Sequence, residues 1–144
     1  LVHDPGRRVV AAIHAGWRGA VAGIVPKTMA LMATRFGSTE SDLRISIGPS
    51  AGPCCYEVDE PVLDQLRVGL PDWESVLRDY QGDKARLDLR ALIRRQVEAQ
   101  GVSALSVSSV NLCTICHDEL FYSYRREGRV NGTMVSGITL AFSR

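Results

Sequence analysis

The sequence predicts an α+β domain in which short strands and helices stack in layers. Three observations predict it. Short apolar runs suited to strands alternate with longer runs of helical periodicity. Glycine and proline close the runs at intervals short enough for compact connections. The two kinds of element also keep no strict βαβ rhythm, which favours a layered mixed α and β domain. The 144 residues suffice for one hydrophobic core, and a single domain over residues 1–144 is expected.

Each element has its own signal. Arg8 to Ile13 reads as a buried strand ending in a glycine-rich turn. A helix is expected from Ala20 to Phe36, stopped by Gly37, with Pro26 in its early turns able to kink it or shift its start. Leu43 to Ile47 alternates apolar and polar side chains like a half-buried strand. The loop Gly48 to Val58 should lead into a short helix capped by Asp59, with Pro61 just inside it. Asp88 is expected to cap a helix whose apolar stripe is Leu89, Leu92, Ile93 and Val97, closed by Gly101. Ser106 to Val110 and Thr133 to Phe142 read as strands, and Trp73 as a packing residue. The chain opens on Leu1, almost directly in a strand, so an upstream portion is expected to precede it.

Composition narrows the function. A net charge of +1 gives no basic footprint for nucleic acid and no polybasic patch for a membrane surface. The apolar stretches are broken well short of the ~18 residues that a membrane span needs. No signal peptide is visible, and a cytoplasmic setting with reduced thiols is expected.

The most informative segment is His14-Ala-Gly-Trp-Arg-Gly19, at a strand-to-helix junction. Gly16 and Gly19 allow a tight turn and close approach of backbone to a ligand. The N–H groups opening the next helix favour an anion, and Arg18 adds a charge-assisted fork to the same place. His14 would present an imidazole to that mouth, as a metal ligand or a proton carrier. Read alone, the same residues also suit a core histidine beside a Trp-packed turn.

Three further segments follow in order: Gly48-Pro-Ser-Ala-Gly-Pro-Cys-Cys-Tyr-Glu-Val58, Leu112-Cys-Thr-Ile-Cys-His117 and Phe121-Tyr-Ser-Tyr-Arg-Arg-Glu-Gly128. Together with the first, they resemble the YfiH-like family, also called the laccase-domain or multicopper polyphenol oxidoreductase family, in register along essentially the whole chain. The resemblance implies a YfiH-like sandwich whose N-terminal portion is missing from this chain. It also implies a catalytic metal, zinc or alternatively copper, with three protein ligands. Two of these lie in upstream Gln-x-His-Gly and Thr-Ala-Asp-Cys stretches, which this sequence does not contain; the third is His14. Three ligands and an open position suit a zinc ion that activates water.

The remaining motifs admit more than one reading. Cys113-Thr-Ile-Cys-His117 fits the spacing of c-type haem attachment, but the resemblance accounts for it without haem. Cys54, Cys55, Cys113, Cys116 and His117 could form a structural zinc site, although adjacent Cys54 and Cys55 lack the usual C-x-x-C spacing. Free structural thiols, without disulfides, are expected. Phe121, Tyr122, Tyr124, Arg125 and Arg126 could stack on a purine or bind phosphate. Equally, the arginines could pair with Glu119 and Glu127 in a packed loop, and Glu57 could be a pocket acid or a loop-holding one.

The family resemblance implies a purine nucleoside enzyme. Its expected activities are phosphorolysis of adenosine, inosine and methylthioadenosine, and deamination of adenosine. The expected site has His14 and Arg18 as catalytic residues, His14 also as metal ligand, and Gly16, Gly19, Phe121, Tyr124 and Arg125 at the substrate. The partners are then a nucleoside and phosphate, with no nucleic acid and no membrane. The alternatives are a copper-dependent, laccase-like polyphenol oxidase, an editing enzyme for peptidoglycan precursors, and a non-catalytic fragment. Laccase chemistry needs many histidines, and His3, His14 and His117 are too few.

Overall fold

The computed structural model describes residues 1–141. Strands β1 (Val2–Asp4), β2 (Val9–Ala11), β3 (Arg44–Ile47) and β7 (Val107–Ser109) form one sheet in the order β2-β1-β3-β7. β1 pairs antiparallel with β2 and β3, while β3 and β7 run parallel with Ile45 opposite Val107 and Ile47 opposite Ser109. A second, antiparallel sheet orders β4 (Glu57–Asp59), β6 (Lys84–Leu87) and β5 (Leu77–Gln81) as β4-β6-β5. The helices are α1 (Trp17–Val21), α2 (Ile24–Phe36), α3 (Glu60–Gly69), α4 (Leu89–Ala99) and α5 (Tyr124–Glu127). One continuous core joins both sheets to the helices: Val2 and Ile45 from the first, Val58 and Leu87 from the second, with Met29, Leu63, Leu66, Leu92 and Val97 between.

Helix α4 forms as its sequence dictates. Its buried side is Leu89, Leu92, Ile93 and Val97, and Oδ1 of Asp88 accepts the N–H groups of Arg90 and Ala91, both at 3.1 Å. Gly101 follows it with φ +96°. The expected helix from Ala20 to Phe36 is instead two helices. Gly23 adopts φ +73°, a left-handed conformation that ends α1 and starts α2, so Pro26 falls in a first turn where its missing N–H costs nothing. Gly37 closes α2 as expected, at φ +71°. Asp59 ends β4 and makes no side-chain cap on α3, although Pro61 stands in the first turn.

Three strand expectations change. The first strand shrinks to Val9–Ala11, is half-buried, and pairs with a preceding strand, β1, that the sequence did not announce. Ser106 to Val110 narrows to Val107–Ser109, because Ala104–Ser106 winds into a 3₁₀ turn. Residues 133–141 form no strand; Val135 is 93% exposed, and no neighbouring edge among the described residues pairs with this backbone. Phe142 lies outside the described residues. Among the described residues, no helix is long and apolar enough to cross a membrane.

Candidate active site

The turn after β2 carries His14 into solvent, three residues beyond the strand, with its ring exposed rather than enclosed. Gly16 gives it room: a Cβ there would stand 3.2 Å from His14 Nε2. Gly16 itself is at φ −64°, ψ 167°, open to any residue, so the requirement is space beside the imidazole rather than an unusual turn. Gly19 is an ordinary helical position, where a Cβ would make only van der Waals contact with Ile24 and the His14 carbonyl. The tight turn allowed for Gly16 and Gly19 needs no positive φ at either, and the next glycine, Gly23, takes the left-handed conformation. Helix α1 has only five residues, so its dipole is small and its N-terminus offers little to an anion.

Arg18 is exposed, its guanidinium carbon 4.5 Å from the centroid of Trp17. It shares its surroundings with Arg125, which the chain brings from α5. The Arg125 guanidinium lies over the Tyr56 ring at 4.8 Å and donates to the Glu57 carbonyl at 3.1 Å. Burial pushes the Tyr56 hydroxyl above its usual value, while the positive charges of Arg125 and, more weakly, Arg18 hold it back. Arg125 thus stands on Tyr56, and Arg18, from a third segment, is near enough for its charge to reach the hydroxyl. Sequence alone does not single out Tyr56; its only signal is a place inside the Gly48–Val58 motif.

The rest of the aromatic and basic segment divides. Tyr124 is exposed and Phe121 half-buried. Arg126 is taken up by structure: it donates to the carbonyls of Thr114, Ile115 and Phe121 and pairs with Glu127 at 2.8 Å. Glu119 instead faces His117, at 3.4 Å from Nδ1. Glu57 reaches Lys84 at 3.3 Å on the surface. Trp73 packs edge-on against Tyr80 with centroids 5.5 Å apart, under the Arg67 guanidinium. Two shallow concavities lie elsewhere, one at Pro53, Cys54, Arg78, Asp79 and Arg86, the other between α1 and α3.

Among the described residues, the metal-ligating groups that gather do so away from the expected ligand, His14. Among the described residues no second His, Cys, Asp or Glu joins His14 in a group of three that could hold an ion. One donor does not make a three-ligand site, so His14 and its neighbours on this chain do not by themselves fit a catalytic metal. The cysteines do gather. Cys54, Cys55, Cys113 and Cys116 place their four Sγ atoms within 4.8 Å of one another, all four as free thiols. Adjacent cysteines are expected to diverge. Instead the N–H groups of Cys55 and Tyr56 both bond the Gly52 carbonyl, coiling the chain so that successive side chains point roughly 100° apart rather than to opposite sides. His117 stands outside the group. Burial pushes the Cys113 thiol up, but N–H groups of Gly52, Cys116 and Ile115 aimed at its sulfur outweigh this and bring it down to about 6.

Comparison with known proteins places the chain in a family. The family described as "Multi-copper polyphenol oxidoreductase laccase" matches residues 1–141. A protein named purine nucleoside phosphorylase YlmD, from Geobacillus stearothermophilus, is 40% identical over 136 residues, covering 93% of this chain and 49% of that protein. One named adenosine deaminase RL5, from an unknown prokaryotic organism, is 34% identical, covering 94% of this chain and 52% of its own length. The crystal structure of YlmD from Geobacillus stearothermophilus superposes with a TM-score of 0.82 at 39% identity, over 88% of this chain and 47% of that one. The chain thus spans about half the length of the curated relatives it matches. In sequence and in fold alike, it belongs to the laccase-like, YfiH family of multi-copper polyphenol oxidoreductases.

Proposed function

We propose that this chain forms the phosphate-holding wall of a purine nucleoside phosphorylase. The observation that carries the reading is the Arg125 guanidinium over Tyr56, with the charge of Arg18 reaching the same hydroxyl. Two guanidinium groups offer planar forks suited to phosphate oxygens. The Tyr56 hydroxyl, held above its ordinary value, keeps its proton at neutral pH and donates to a third oxygen. Relatives named purine nucleoside phosphorylase support the substrate class.

In the reaction, a phosphate oxygen attacks ribose C1′ as the C1′–N9 bond breaks. The purine leaves with the bonding electrons and takes up a proton, and ribose 1-phosphate remains. The residues on this chain bind and orient the phosphate and neutralise its charge; exposed Tyr124 and half-buried Phe121 offer faces for the base. His14 would contribute one ligand to a zinc or copper ion completed by residues outside this chain. When bound, such an ion supplies an activated water or polarises an oxygen.

Deamination of adenosine is the second reading, favoured by the relative named adenosine deaminase. It consumes water and needs no phosphate. The test is inosine cleavage by the full-length protein with and without phosphate, identifying the sugar product. Ribose 1-phosphate formed only with phosphate is expected. Cleavage to free ribose at a rate indifferent to phosphate would overturn the reading.

A further inference from the structure

We propose that Cys54, Cys55, Cys113 and Cys116 bind one structural Zn²⁺ ion, separate from any site at His14. A tetrahedral zinc with Zn–S bonds of about 2.3 Å sets its four sulfurs about 3.8 Å apart. The four Sγ atoms lie within 4.8 Å of one another, with Cys54 and Cys55 at 3.2 and 3.0 Å from Cys116. Carbon atoms already settle about 3.5–4.0 Å apart, and sulfur is larger. Four thiols gathered in one place suit a shared ion, on whose binding Cys116 would draw back from Cys54 and Cys55 by about 0.6–0.8 Å. Four thiolates around one ion match zinc's preferred donor set, and a four-iron cube would hold its cysteine sulfurs farther apart.

The surroundings are those of a ligand shell. The sulfur of Cys113 accepts N–H groups from Gly52 at 3.2 Å and Ile115 at 3.4 Å, which fix its direction and offset negative charge. The two cysteine loops leave the carboxyl ends of the parallel strands β3 and β7, and the Ser50–Cys113 bridge continues that pairing. Guanidinium groups hold both loops by their carbonyls: Arg86 at Cys54, Arg90 at Val110 and Leu112, Arg126 at Thr114 and Ile115. Their charge also balances an ion with four thiolates, whose net charge is −2. A disulfide would use two of the four sulfurs and leave the other two crowded beside it. The ion's role is to lock the loop carrying Tyr56 against the loop that Arg126 grips.

The experiment uses the full-length protein carrying His14→Ala, so that zinc counted does not sit at His14, purified in reductant and dialysed. Elemental analysis should find one zinc per chain, and Cys113→Ser with Cys116→Ser should lose it. Since that variant could misfold, the unsubstituted cysteine set is also stripped with chelator and titrated with Co²⁺. An intense thiolate-to-cobalt charge-transfer band in the near ultraviolet, saturating at one equivalent and bleached by Zn²⁺, is expected. No retained zinc together with no such band would overturn the proposal. So would a native disulfide among these cysteines persisting after zinc is supplied under reducing conditions.

Discussion

At His14 and Gly16 a single missing methyl group decides what the imidazole can do. Because a Cβ at position 16 would stand 3.2 Å from Nε2, Gly16→Ala should push the ring aside by a few tenths of an ångström. The backbone there, at φ −64° and ψ 167°, accepts alanine without strain. We therefore expect Gly16→Ala in the full-length enzyme to lower kcat while its unfolding free energy stays within about 0.5 kcal/mol. His14→Ala should abolish turnover with folding equally intact, since the side chain is exposed. Steady-state kinetics beside denaturant unfolding checks both, and full activity in His14→Ala would remove that residue from the site. His14, Arg18 and Arg125 were legible as residue types at motif positions. The meeting of Arg125 with Tyr56, within reach of the charge of Arg18, was not, because it joins segments nearly forty and seventy residues from that tyrosine through tertiary packing alone.

Helix α4 was readable at the scale of an element because cap, stripe and terminating glycine all agree. Its cap gives a direct prediction. Asp88→Ala leaves the N–H groups of Arg90 and Ala91 without their acceptor and should cost about 1 kcal/mol, read as a lower denaturant midpoint at unchanged slope. Asp88→Asn should recover most of it, because the amide oxygen still accepts. Elsewhere the signals were too short or in conflict. Strand β5, Leu-Arg-Asp-Tyr-Gln, is largely exposed and shows no apolar alternation, so nothing local marked it. The break at Gly23 was hidden inside an otherwise helical pattern, and only its positive φ reveals that the glycine separates two helices. The cysteine group was obscured by spacing rules that treat adjacent residues as divergent, whereas a coiled turn brings them together.

Across the whole molecule, Asp4 braces the β1–β2 turn beside the end of α2. It is buried, its Oδ1 accepts the Arg7 N–H at 2.9 Å, and the Ser38 hydroxyl lies beside it without completing a well-formed bond. The nearby Ser38 hydroxyl holds its carboxyl below the ordinary value against the opposing effect of burial, with N–H groups of Arg7 and Gly6 assisting. A carboxylate with a lowered folded-state value contributes stability that is complete above the ordinary range. That contribution is lost as pH falls through the lowered value. Below about pH 4, the unfolding midpoint should therefore fall more steeply with acid in the wild type than in Asp4→Asn, as thermal melts across that range would record. Parallel curves would show that Asp4 titrates alike folded and unfolded.

Whether Arg18 and Arg125 hold phosphate at Tyr56 is decided by the phosphate dependence of inosine cleavage. It is measured beside adenosine deamination in full-length wild type, Arg18→Ala, Arg18→Lys and Arg125→Ala. Losing one charge-assisted contact costs roughly 1.5–3 kcal/mol, so each alanine variant should bind phosphate about one to two powers of ten more weakly. Lysine at position 18 should recover only part of this, because a point charge cannot reproduce the planar fork. Deamination, which uses water, should change far less. Equal loss of both activities, or unchanged phosphate dependence in both alanine variants, would contradict that role.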